Sequence, residues 1–95
     1  MKATLIYHVK QIEPDEDIIE IKIWQVPASR DKPHRVKYSL VYIQHGQRVI
    51  GYDNGEGKGD HRHIKGGEEP YLFEGVDKLF EDFYRDIIRI RGQKG

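Results

Sequence analysis

The stretch Arg35–Asp53, RVKYSLVYIQHGQRVIGYD, decides the fold. Its first half sets Val36, Tyr38, Leu40 and Tyr42 against Lys37, Ser39 and Val41. That is the period-two alternation of a strand with one buried face. QHGQ interrupts the pattern for the length of a tight turn, where Gly46 can take the positive φ that such turns need. RVIGYD then resumes an extended pattern. The segment predicts an antiparallel hairpin, and its neighbours are read outward from it.

Toward the N-terminus, DIIEIKIWQV alternates Ile19, Ile21 and Ile23 against Glu20, Lys22 and Trp24. Further back, ATLIYHVKQI alternates Leu5, Tyr7 and Val9 against Ile6, His8 and Lys10. Both read as strands. EPDED, with Pro14, reads as the turn between them, and PASRDKPH, bracketed by Pro27 and Pro33, as a loop. Toward the C-terminus the period changes. Val76, Leu79, Phe80, Phe83, Ile87 and Ile90 fall on one helical face of about four turns, and Gly92 stops it. The fold class expected is α+β: an antiparallel β-meander of four to five strands with one C-terminal helix packed on one face, as a single domain over residues 1–95.

Sixteen basic and sixteen acidic side chains give a formal charge of zero, so no global excess of cations is available to drive nucleic-acid binding. The absence of cysteine removes disulfides and thiolate zinc sites and fits a reducing compartment. The apolar run near the N-terminus is too short for a signal peptide, and no run reaches membrane-spanning length. A cytoplasmic protein with no membrane contact is expected.

Chemistry concentrates in GYDNGEGKGDHRHIKGG, Gly51–Gly67. If Asp53 pairs with His61, then Gly51 faces His63 and Val49 faces Lys65, while Tyr52 meets Arg62 and Ile50 meets Ile64. A slip of one residue would set Ile50 against a polar residue, so the hydrophobic pattern selects this register. His61 and His63 then emerge on the same side, their Cα atoms about 6.5–7 Å apart, with Asp53 beside the first. Two imidazoles and an orienting carboxylate are the ingredients of metal-independent RNA cleavage. A neutral ring takes the proton of a ribose 2′-OH and a charged ring protonates the leaving 5′-oxygen. Lys58, Arg62 and Lys65 are the phosphate-binding candidates, though alternation sends Arg62 to the opposite face. A merely solvated His-x-His pair is the bland alternative. A metal held by both imidazoles and Asp53 is a third reading, ranked behind because no fourth ligand stands at a recognisable spacing; no cofactor is assigned. Gly55, Gly57 and Gly59 form neither a P-loop nor a calcium loop, lacking the Gly-Lys-Ser/Thr ending of one and the alternating oxygen ligands of the other.

The order KYSLVYIQHGQRVIGYDN, a glycine-rich gap, HRH and a closing amphipathic helix resembles the small TumE-type proteins, toxins of bacterial and archaeal toxin–antitoxin pairs. The resemblance spans about Val36 to Ile90 and is carried chiefly by Tyr52-Asp53-Asn54 and His61-Arg62-His63. It implies a cognate helix-turn-helix antitoxin as partner. The function expected is a toxin acting as a metal-independent endoribonuclease through the His-x-His pair, with RNA as the target. The alternative is a non-catalytic module gripping a protein or nucleic acid. An exposed edge strand would also permit a homodimer.

Overall fold

The computed structural model describes residues 3–30, 32–55 and 59–92. Six strands form one antiparallel sheet in sequence order: β1 (Thr4–Ile12), β2 (Ile18–Gln25), β3 (Val36–Gln44), β4 (Gln47–Asp53), β5 (His61–Ile64) and β6 (Gly67–Pro70). Helix α1 (Val76–Gly92) follows. The meander and the closing helix are as expected, but the sheet has one strand more. Among the described residues no helix is long and apolar enough to cross a membrane.

The alternation in β2, β3 and β4 sends Ile19, Ile21, Ile23, Tyr38, Leu40, Tyr42, Ile50 and Tyr52 to one face, where Leu79, Phe83, Ile87 and Ile90 of α1 complete the core. Val76 and Phe80, expected on the same helical face, sit half-buried at its border. Two acids, Asp82 and Asp86, are buried on that face as well. Their reason for being inside is the tyrosines. The Tyr71 hydroxyl donates to Asp82 at 2.5 Å, and the Tyr52 hydroxyl donates to Asp86. Tyr42 donates to buried Asp17 at 2.5 Å and Tyr38 to Asp60 at 2.8 Å. Burial first, and the acceptor carboxylate second, push the Tyr38 and Tyr71 hydroxyls well above the ordinary phenol range, so they stay protonated donors. Leaving one such buried group unpaired would cost about 1–3 kcal/mol.

Two hairpins rest on paired left-handed residues. His45 and Gly46 (φ 52° and 75°) turn β3 into β4, and Lys65 and Gly66 (φ 49° and 85°) turn β5 into β6. Positive φ at both central residues matches the twist of the flanking strands. The second of these turns brings in β6, the strand that alternation does not reveal. Its residues Gly67-Glu68-Glu69-Pro70 carry no aliphatic or aromatic side chain beyond the proline ring and are all exposed.

Candidate functional site

The site is built on the face of the sheet opposite the helix. Strands β4 and β5 pair with Asp53 opposite His61, Gly51 opposite His63, Tyr52 opposite Arg62 and Ile50 opposite Ile64. That is the register the isoleucines select, and it turns both imidazoles to the open side. Beyond the strand ends, the Lys65 amide donates to the Val49 carbonyl at 2.9 Å. His61 Nε2 lies 3.0 Å from Asp53 Oδ1, and His63 Nε2 lies 3.9 Å from Asp53 Oδ2. The two rings stand edge to face with centroids 4.9 Å apart.

A fourth group joins them from β6. Glu68 pairs with His63 across the strands, and its Oε2 lies 3.2 Å from His63 Nε2 and 3.6 Å from His61 Nε2. The other nitrogen of His61 is also committed. Nδ1 stands 3.1 Å from the Gly59 carbonyl, which can only accept, so Nδ1 carries the hydrogen. Gly59 holds φ at 73°, a conformation glycine takes without steric cost. One task of the glycine-rich segment is therefore to aim that carbonyl. His61 is only 8% exposed, whereas Glu68 sits at the rim.

An open cleft of about 380 Å³ lies over the cluster and continues across the sheet to Trp24, Lys37, Ser39 and Arg48. Lys37 Nζ sits 5.0 Å over the Trp24 ring, its register partner on β2, so Trp24 is half-covered. Arg48 reaches the cleft through a bulge. Tyr42 pairs with Ile50 but Ile43 pairs with Arg48, leaving Val49 as the extra residue. Without that insertion Arg48 would share the parity of Ile50 and Tyr52 and point at the helix. Instead its stem passes over Gly51, where an added Cβ would meet Arg48 Cδ at 3.2 Å.

Of the six site residues expected from sequence, Asp53, His61 and His63 come together. Lys58 lies outside the described residues. Arg62 is on the helix-side face, donating to the Tyr52 hydroxyl at 3.3 Å and to Glu69 at 2.5 Å, and 3.5 Å from Asp86. Lys65 occupies the β5–β6 turn and borders a separate groove with Ile64, Asp86, Arg89 and Ile90. The residues that sequence reasoning missed are Glu68, Lys37 and Arg48. Lys37 was legible as a polar-face residue of β3. The other two depended on an unseen strand and an unseen bulge.

A family model described as Toxin TumE matches residues 2–91. The match reaches back through β1 and β2, beyond the span from Val36 in which the short motifs lie. No curated protein and no solved structure matches the chain. The chain belongs to the TumE toxin family.

Proposed function

Starting from that family membership, we propose that this chain is the toxin of a toxin–antitoxin pair and that it acts in the cytoplasm as an endoribonuclease, with RNA lying in the cleft opposite the helix. One observation carries the proposal: two imidazoles and a carboxylate converge at the floor of a cleft that also presents a lysine and an arginine. Cleavage forms a bond from the ribose 2′-oxygen to phosphorus and breaks the bond to the 5′-oxygen. The 2′-proton must leave, the 5′-oxygen must gain one, and negative charge on the phosphate must be held. Lys37 and Arg48 are the cations for the phosphate, with Lys58 a further candidate. Asp53, His61 and His63 are the groups for the reacting atoms. The partner is a helix-turn-helix antitoxin that blocks this activity.

The proposal is tested in two steps. Expression of the chain alone should arrest growth, and His63→Ala or Asp53→Asn should relieve the arrest while the purified variants keep the wild-type circular dichroism. Purified protein should then fragment RNA, and the same variants should not. Variants that fold and stay fully toxic would remove the cluster from the mechanism. Toxicity without any RNA fragmentation would favour the alternative, a module that kills by gripping a protein or nucleic acid.

A further inference from the structure

We infer that Asp53, His61, His63 and Glu68 form a binding site for one divalent first-row transition-metal ion of the zinc or manganese type. The inference rests on reading the cleft as the place of chemistry and says what the cluster holds there.

The first argument is the direction of the His61 ring. With Nδ1–H given to the Gly59 carbonyl, the ring in its neutral form turns the lone pair of Nε2 toward Asp53 and Glu68, which are themselves acceptors at 3.0 and 3.6 Å. A lone pair facing two carboxylates is a poor hydrogen-bond arrangement and a good ligand set. A histidine whose far nitrogen is tied to a backbone carbonyl is also the usual support for a metal-binding imidazole, since that bond fixes both tautomer and ring angle.

Distance supplies the second argument. Ligand atoms bound about 2.1 Å from a shared tetrahedral or octahedral ion stand about 3.0–3.4 Å from one another. The four nitrogen–oxygen separations here are 3.0, 3.2, 3.6 and 3.9 Å, so Asp53, His61 and His63 stand near that spacing and Glu68, at the rim, turns inward to complete the set. The ligand atoms of Asp53, His61 and His63 all lie within 4.8 Å of one another. Glu68 is the fourth ligand that no sequence spacing revealed, because it arrives on β6.

Charge and chemistry give the third. Among the described residues neither Asp53 nor Glu68 forms an ion pair with a lysine or arginine, so a dication would balance two carboxylates and two neutral imidazoles. Two nitrogen ligands select a borderline ion over magnesium or calcium, which take oxygen cages. The site opens toward Lys37 and Arg48, on the side from which a phosphate oxygen would enter.

The test uses untagged full-length protein stripped with chelator. Cobalt(II) titrated into it should develop visible d–d absorption that saturates at one ion per chain, and zinc should displace it while magnesium should not. His63→Ala and the isosteric Asp53→Asn should each weaken cobalt binding by about 100-fold or more. His8→Ala, which alters a surface histidine paired with Glu20, should bind as wild type does. Absence of saturable absorption in wild-type protein, or wild-type affinity in His63→Ala, overturns the site. The proposed nuclease activity fails separately. Stoichiometric cobalt binding by a protein that never cleaves RNA, with any of these ions, leaves the metal site standing without that function. Full cleavage by a protein that shows no saturable cobalt absorption keeps the function and overturns the metal.

Discussion

Arg62 and His61 are neighbours on β5, and each meets a carboxylate and a residue of β4, yet the two sides of that strand differ in kind. On the covered side Arg62 is shared among the Tyr52 hydroxyl, Glu69 and Asp86 beneath a helix. On the open side His61 and His63 share Asp53 and Glu68 at the floor of a cleft. There the groups converge on a point rather than enclosing one another. The comparison shows how one short sequence, Arg62 flanked by two histidines, serves the core with one residue and a site with the other two. Charged groups do structural work where each has its partners in place. They are available for chemistry where a direction is left open.

The difference can be broken by mutation, and the largest effect belongs to the covered side. Asp86→Ala leaves Arg62 and the Tyr52 hydroxyl short of a buried partner and should lower stability by about 3 kcal/mol in urea unfolding. A loss under about 0.5 kcal/mol would mean that the covered network is no more structural than a surface pair. On the open side, His63→Ala should reduce RNA cleavage by about 100-fold or more while shifting the unfolding free energy by less than about 1 kcal/mol. If stability and activity fell together, the two faces would not be separable.

Gly51→Ala sharpens the contrast at lower cost. The atoms nearest the new Cβ belong to the movable end of Arg48, so the fold should hold. The displaced guanidinium should then weaken oligonucleotide binding by about tenfold, a loss expected from one charge-assisted contact and readable by fluorescence titration. Unchanged affinity would take Arg48 out of the phosphate role.

The smallest effect concerns pH. Burial works against ionised Asp82, but hydrogen bonds from Lys78 and Tyr71 outweigh it and hold the carboxyl below its ordinary value. A carboxyl with a depressed folded pKa lends stability above its unfolded pKa of about 3.9 and loses it as pH falls through the folded value. Stability of the wild type should therefore decline in that acid window more steeply than stability of Asp82→Asn, as followed by thermal unfolding at stepped pH. Parallel curves would show that Asp82 is not held low.

Much of this architecture could be read from the chain itself. Alternating apolar residues in β2 and β3 report which face is buried, the pairing of Ile50 with Ile64 sets the register, and the 3.6-residue spacing from Leu79 to Ile90 places the helix. Each of these is a local pattern written by burial of apolar surface, so Asp53, His61 and His63 could be grouped in advance. Tertiary structure alone decided the rest. Strand β6 buries nothing and is held by backbone pairing and cross-strand charges, so it leaves no hydrophobic trace, and Glu68 was invisible with it. The bulge at Val49 is a single inserted residue with no composition of its own, yet it moves Arg48 from one face of the sheet to the other. Tyr–Asp pairs likewise look like surface polarity until a helix covers them. Hydrophobic burial writes its period into a sequence, whereas hydrogen bonds and charge convergence depend on where distant segments finally meet.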